Sequence, residues 1–132
     1  MCIRDRNTDR AVGTRTSSHI TRRFSADDLS EDHVTFRLKG SAGQSLGAFG
    51  AYGLKLIVDG DANDYVGKGL SGATIIVRPA AADGARDQAS IGNTCLYGAT
   101  SGLLLAAGRA GGRFGVRNSG ADAVIELSLI HI

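Results

Sequence analysis

The sequence predicts an all-β fold: a right-handed parallel β-helix, a single-stranded solenoid of about 19 residues per coil, with a short helical or irregular N-terminal segment. Three observations carry that expectation. Short aliphatic runs alternate with glycine-rich returns, and the closing glycines Gly53, Gly72, Gly102 and Gly120 are spaced 19, 30 and 18. The long interval holds the polar, alanine-rich stretch Ala80-Ala-Ala-Asp-Gly-Ala-Arg-Asp-Gln-Ala89, and without those ten residues the step is near 19 throughout. A period near 20 in a chain of strands and glycines signals a solenoid. Finally, glycine is 19 of 132 residues, about twice its usual share of roughly 7%, while aromatics are 5% and tryptophan is absent. Such a composition suits a narrow interior of small and aliphatic side chains.

Taken in order, the first stretch stands apart. Arg15-Thr-Arg-Thr-Ser-Ser-His-Ile-Thr-Arg-Arg-Phe24 is polar, with Ile20 and Phe24 four apart, so a short helix is expected near residues 17–23. Ser25-Ala-Asp-Asp and Ser30-Glu-Asp are the turns after it. Arg15, Arg22 and Arg23 form either a solvated face or a docking point for an acidic neighbour. From His33 the period becomes two: Val34, Phe36 and Leu38 alternate with Thr35, Arg37 and Lys39, as in a half-buried strand. Leu54-Lys-Leu-Ile-Val58, then residues 74–77, then Leu103-Leu-Leu-Ala106 repeat that role, and Ala123-Val-Ile125 begins a fifth strand. Between them lie the glycine-rich returns 40–53, 60–72, 93–102 and 113–120. Ala42, Ala48, Ala99 and Ala110 are the small residues expected inside the coil, and glycine serves at corners because positive φ is open to it. An antiparallel sandwich is the rival, with Asp59-Gly60 and Asp83-Gly84 as its hairpin turns.

Both ends read differently. Met1-Cys-Ile-Arg-Asp-Arg6 can be encoded by ATGTGTATAAGAGACAG plus one base, and Leu127-Ser-Leu-Ile-His-Ile132 by the reverse complement of that string. The pair looks like a transposase adapter used in shotgun DNA sequencing. Residues 1–6 and 127–132 are therefore expected to be adapter-derived tails, 7–33 a lead-in segment, and 34–126 the β-helix domain, truncated at its C-terminal end. Within residues 7–126 only Cys95, His19 and His33 remain of the cysteines and histidines, and 13 basic against 12 acidic residues leave a net charge of +1. A lone cysteine fits a reducing compartment. The balanced charge gives no reason to expect nucleic acid, and no apolar run approaches the roughly 20 residues of a membrane span.

Candidate chemistry is sparse. Gly67-Lys-Gly-Leu-Ser-Gly72 matches the Gly-x-Gly-x-x-Gly dinucleotide fingerprint, but that fingerprint needs a helix after it. The next residues are instead Ala73-Thr-Ile-Ile-Val-Arg-Pro79, a β-branched run closed by the chain's single proline. Asp59-Gly-Asp-Ala-Asn-Asp64 begins like a calcium loop, yet Asp64 and Leu70 stand where glycine and glutamate are required. Turn-forming Asp and Asn side chains account for it. Cys95, between Thr94 and Leu96, reads as a small hydrophobe in an apolar strand rather than a nucleophile. Ser41, Ser45 and Ser71 have no histidine near them in sequence. Lys68, between two glycines, could meet an anion through a nest of amides. No catalytic, cofactor-binding or metal-binding set emerges. Gln44, Tyr65, Lys68 and Asn118 are the candidate residues for contact with a neighbouring domain.

These motifs together resemble a family. Gly40-Ser-Ala-Gly-Gln-Ser-Leu-Gly-Ala-Phe49, Gly60-Asp-Ala-Asn-Asp-Tyr-Val-Gly-Lys-Gly-Leu-Ser-Gly72, Gly92-Asn93, Leu96-Tyr-Gly-Ala-Thr100 and Arg113-Phe-Gly-Val-Arg-Asn-Ser-Gly-Ala121 are similar to the C-terminal glycine-rich β-helix (GXGXG) domain of the glutamate synthase large subunit. Asn7-Thr-Asp-Arg-Ala-Val-Gly13 looks like the approach to that domain, and Ala73 stands where a further glycine is common. The resemblance implies a parent enzyme that reductively converts glutamine and 2-oxoglutarate to two glutamates. That enzyme has an amidotransferase domain bearing a catalytic cysteine far upstream, and a synthase domain holding FMN and an iron–sulfur cluster. The β-helix is not catalytic in that family; it packs between the other domains. Partners are then those domains and a small electron-donating subunit, with no cofactor in this segment, and the compartment is the cytoplasm or a plastid. A free-standing β-helical scaffold subunit of formylmethanofuran dehydrogenase shares the module and is the alternative.

Overall fold

Residues that alternate inward and outward with period two pair best with a copy of the same pattern, and here each strand finds its copy one coil away. The computed structural model describes residues 2–4, 10–23, 33–79 and 89–128. Its elements in chain order are β1 (Cys2–Arg4), α1 (Thr14–Arg23), β2 (Val34–Ala42), β3 (Leu54–Ala62), β4 (Ser71–Arg78), β5 (Ala89–Ile91), β6 (Ser101–Ala110) and β7 (Asp122–Ser128). The sheet runs β1-β2-β3-β4-β6-β5, with β7 also on β6, and all these strand pairings are parallel. Parallel neighbours joined by a full return of the chain make a solenoid of about four turns, and the antiparallel sandwich is excluded.

The register measures the coil. Val34 pairs with Leu54, Lys55 with Thr74, Thr74 with Leu103 and Leu103 with Asp122, steps of 20, 19, 29 and 19. The long step contains residues 80–88, which lie outside the described residues. The interruption falls inside one long strand: β4 stacks on the first half of β6, while β5 stacks on its end, Ala89 opposite Arg109 and Ile91 opposite Ala110. Ala89 thus belongs to β5, a strand the sequence did not announce, and not to the expected excursion. The second strand is also longer than its aliphatic run, which ends at Val58: β3 continues to Ala62, with Asp59 and Asp61 on the half-buried and exposed side and Ala62 buried.

Inward side chains stack in columns from coil to coil. Phe36, Leu56, Ile75 and Leu104 form one; Leu38, Val58, Val77 and Ala106 form the next. Leu38, Leu56, Val58, Ile75, Val77 and Leu104 are wholly buried. Each such aliphatic side chain contributes roughly 1.5–3 kcal/mol by burial. Ala42, Ala48, Ala99 and Ala110 are also buried, as the narrow interior requires. Gly60 shows how close the rungs lie. A Cβ placed there would stand 2.0 Å from the carbonyl oxygen of its register partner Gly40.

The first coil is closed by a helix. Ala11 and Val12 already occupy the lattice of the next coil, since the Ala11 amide donates to Gln44 O at 2.9 Å and the Gly47 amide to Val12 O at 2.8 Å. The chain then leaves the stack as α1. Thr14 Oγ1 donates to Ala48 O, and the buried Ser17 hydroxyl donates to Phe49 O at 2.9 Å while accepting from the Ala51 amide at 2.8 Å. Ile20 enters the core behind it. Solenoids need such a cap, because their last rung otherwise presents unpaired main-chain groups. The expected helix is thus present and three residues longer at its start; Phe24 and the turns at 25–28 and 30–32 lie outside the described residues. No described helix is long and apolar enough to cross a membrane.

Candidate functional site

The glycine-rich returns build one corner of the solenoid four times over. In residues 45–49, 65–69, 94–98 and 113–117 every second residue is left-handed: Ser45, Gly47 and Phe49; Tyr65, Gly67 and Gly69; Thr94, Leu96 and Gly98; Arg113, Gly115 and Arg117, all with φ between 55° and 71°. Seven of these twelve are not glycine, and for each the conformation costs about 1–2 kcal/mol. The alternation makes successive amides point to opposite neighbours. Ser45, Tyr65 and Thr94 donate forward to Asp64 O, Asn93 O and Gly112 O, while Gly67, Leu96 and Gly115 donate back to Leu46 O, Val66 O and Cys95 O. Phe49 and Gly69 donate forward again, to Lys68 O and Tyr97 O. Main-chain bonds between coils therefore stabilise the strained backbone.

This geometry accounts for the fingerprint-like stretch. The amides of Gly67, Lys68 and Gly69 donate to Leu46 O, Tyr65 O and Tyr97 O, so the donors that a pyrophosphate or other anion would need are engaged within the fold. The nest read at Lys68 is thereby corrected. Gly69 has a second reason to lack a side chain: a Cβ would meet the Phe49 ring at 2.6 Å. The residue between the first two left-handed positions of each corner points inward. Leu46, Val66 and Cys95 are buried and Phe114 is half-buried. Cys95 thus lies in the corner, not in a strand as expected, and it packs as a core residue. Burial pushes its thiol up to about 12, so almost none is thiolate at neutral pH.

The acidic stretch also resolves. Asp59 sits in β3, where its carboxylate accepts from Arg37 Nε at 3.1 Å and from Arg78 Nε. The Arg78 hydrogen bond first, and Arg37 after it, hold the Asp59 carboxyl below its ordinary range against the opposing effect of burial. Asn63 Oδ1 accepts from the Asp64 amide at 3.0 Å. Asp64 Oδ1 accepts from the Asn93 amide and Asn93 Oδ1 from the Gly112 amide, both at 2.8 Å, so two side chains at one position of successive coils tie each coil to the next. Among the described residues no group of three His, Cys, Asp or Glu could hold a metal. An iron–sulfur cluster needs several thiolates, and a buried Cys95 offers one raised thiol. The corner amides, being engaged, leave no main-chain phosphate site there for FMN.

What the corner does present is an aromatic and cationic surface. Phe49, Tyr52, Tyr65 and Val116 are exposed at 58%, 39%, 38% and 37%. Lys68 Nζ lies 5.6 Å from the Tyr65 ring centre, and the Arg117 guanidinium 5.7 Å from that of Tyr97. All three tyrosines of the chain lie on or beside this corner. Aromatic side chains with adjacent cations are the composition of protein contact surfaces. Of the four residues singled out in the sequence, Tyr65 and Lys68 come together here. Gln44 sits one coil back, half-buried, with its carbonyl bonded to Ala11. Asn118 lies apart on the fourth coil, where Oδ1 accepts from the Gly120 and Ala121 amides and Nδ2 donates to Ala121 O. Phe49, Tyr52, Tyr97 and Arg117 were missed. Aligning the corners by their left-handed positions, rather than reading each motif alone, is the signal that finds them.

Comparison with known proteins agrees with this architecture. The family model of the GXGXG motif matches residues 2–131. The chain is 61% identical over 123 residues to the glutamate synthase [NADPH] large chain of Azospirillum brasilense, covering 92% of this chain and 8% of that one. It is 52% identical over 122 residues to the glutamate synthase [NADH] of Saccharomyces cerevisiae, 91% of this chain and 6% of that one. Against ferredoxin-dependent glutamate synthase 2 of Synechocystis sp. the figures are 52%, 91% and 8%. The chain therefore spans less than a tenth of the length of these relatives.

Proposed function

The chain belongs to the GXGXG motif family, and from that premise we propose that it is the C-terminal structural domain of a glutamate synthase large subunit. The observation that carries the proposal is near-complete coverage of this chain, at 52–61% identity, by a small part of much longer glutamate synthases. In this reading the parent enzyme forms glutamate from glutamine and 2-oxoglutarate, with amide transfer and FMN and iron–sulfur chemistry in its other domains. This segment contributes no reacting group. Its neutral, buried Cys95, its engaged corner amides and its ion-paired Asp59 support that division of labour. The relatives' names carry three different electron donors, which suits a segment remote from donor choice.

The solenoid acts as a rigid spacer on which catalytic domains of the same polypeptide rest, with a small electron-donating subunit as a further partner. Tyr65 and Lys68, with Gln44 one coil back, are the proposed contacts on the corner; Asn118, apart from them on the fourth coil, keeps its own turn in shape. The enzyme would work in the cytoplasm, or in a plastid of a photosynthetic eukaryote.

A segment exchange tests this. The chain replaces its counterpart in a glutamate synthase large subunit whose loss makes a host dependent on added glutamate. Growth on ammonia as sole nitrogen source is the expected result. A host that grows no better than one lacking the segment contradicts the assignment. Upstream DNA gives a second check: an FMN-binding barrel in the same frame is expected, and an independent start codon near Asn7 would contradict it.

A further inference from the structure

Just before the first left-handed residue of each later corner, the coils are tied by side chains as well as by main chain. Asp64 Oδ1 accepts from the Asn93 amide and Asn93 Oδ1 from the Gly112 amide, both at 2.8 Å. Gly92 and Gly111 make room for these ties, because a Cβ at either would run into Asp64 Oδ1 or Asn93 Oδ1 respectively. Each tie fixes its side chain but uses only one oxygen. Among the described residues Asp64 Oδ2, the Asn93 Nδ2 group and the Arg113 guanidinium have no hydrogen-bond or ion-pair partner. All three residues line one cleft of about 390 Å³, together with Tyr65, Thr94 and Gly112. That volume lies in the range of small-molecule sites.

The cleft holds opposite charges that do not close on each other. Elsewhere in the fold they do, as when Asp59 gathers Arg37 and Arg78. Asp64 and Arg113 stand two coils apart, roughly 10 Å along the stack. The Asp64 carboxylate already reaches the next coil, so about one rung and the length of the Arg113 side chain remain between the charges. On the coil between them stand the Asn93 carboxamide and the Thr94 hydroxyl, and Tyr65 adds an exposed aromatic ring at the acidic end.

We propose that this cleft binds a small zwitterion of the α-amino acid class, with its ammonium group on Asp64 and its carboxylate on Arg113. A carboxylate gains charge-assisted hydrogen bonds from an ammonium group, and a guanidinium matches the planar fork of a carboxylate. The Asn93 carboxamide and Thr94 hydroxyl supply neutral hydrogen bonds to the rest of the molecule. The engaged amides of Gly67, Lys68 and Gly69 take no part. The site uses only side chains of this chain, so it stands independently of the large-subunit reading.

Titration of the 132-residue chain with L-glutamine, followed by amide NMR, tests it. The Thr94, Gly112 and Arg113 amides should shift together, with one dissociation constant in the millimolar range that an open cleft and so small a ligand allow. N-acetyl-L-glutamine lacks the ammonium group and 4-aminobutanamide lacks the carboxylate. Each should bind at least about tenfold more weakly than glutamine. Asp64→Asn keeps an oxygen for the Asn93 amide, as Asn93 itself does one coil on, and removes only the charge. It should weaken glutamine binding about tenfold while leaving the rest of the spectrum in place. Arg113→Gln, at an exposed side chain, is the matching change at the other end, with the same expectation. Amides that do not move under a large excess of glutamine would overturn the proposal. Equal binding of the two single-charge analogues would do so too, as would unchanged affinity in either variant.

Discussion

Replacing Gly60 with alanine puts a methyl group where two rungs are in contact. The added Cβ would stand 2.0 Å from Gly40 O, and ordinary contact needs 3.4 Å or more, so β2 and β3 must separate locally by over an ångström. The nearest bonds at risk are the Asn63 amide to Ala42 O at 3.2 Å and the facing register of Gly40 with Gly60. Two weakened main-chain bonds plus a strained φ of +153° come to about 3–5 kcal/mol, most of a small domain's stability. Gly98→Ala is the matched control. Its φ is +68°, but nothing lies within 4 Å of the added Cβ, so only the left-handed penalty of about 1–2 kcal/mol remains. Urea unfolding of the two variants beside the parent chain gives the comparison. Gly98→Ala as damaging as Gly60→Ala would refute the reasoning, because the rung-to-rung contact would then carry no weight.

Three further outcomes follow from the same geometry. Ser17→Ala removes the hydroxyl that bridges Phe49 O and the Ala51 amide, leaving a buried donor unsatisfied; a loss of about 2–3 kcal/mol in urea unfolding is expected, with Ser18→Ala near zero. Asp59 has a depressed folded pKa, so its contribution is complete above the ordinary value of 3.8 and declines as pH falls below it. With both arginines about half exposed, Asp59→Asn should cost no more than about 1 kcal/mol at pH 7 and should flatten the stability profile on the acid side. Cys95 should resist alkylation in the folded chain and react on unfolding, and Cys95→Ala should leave glutamate formation by the parent enzyme intact. Rapid native labelling at Cys95 would contradict its place in the core.

Much of the fold was legible because period-two alternation survives wherever one face is buried. Val34, Phe36 and Leu38 announced β2, and the glycine spacing announced the coil. What escaped had physical causes. Asp59, Gly60 and Asp61 are poor strand formers, yet β3 runs through them because Gly40 and Gly60 allow close approach and Asp59 is held by Arg37 and Arg78. Thr94-Cys-Leu-Tyr97 has the composition of a strand, but its backbone alternates through left-handed residues that neither Thr nor Leu advertises. β5 is three residues long and is separated from β4 by residues outside the described set. The aromatic and cationic corner was legible only in part. Tyr65 and Lys68 sit in one motif, whereas Phe49, Tyr97 and Arg117 join them only when coils are stacked.

The glycine-rich stretch is a ladder between coils and not a ligand cradle, and the non-catalytic role proposed for the segment depends on that. Amide hydrogen exchange at Gly67 and Gly69, resolved by NMR, tests it directly. Both amides should be protected at least about a hundredfold in the absence of any ligand, since each is bonded to a neighbouring coil, and NAD or ATP should leave them unchanged. Fast exchange that slows when a nucleotide is added would contradict it.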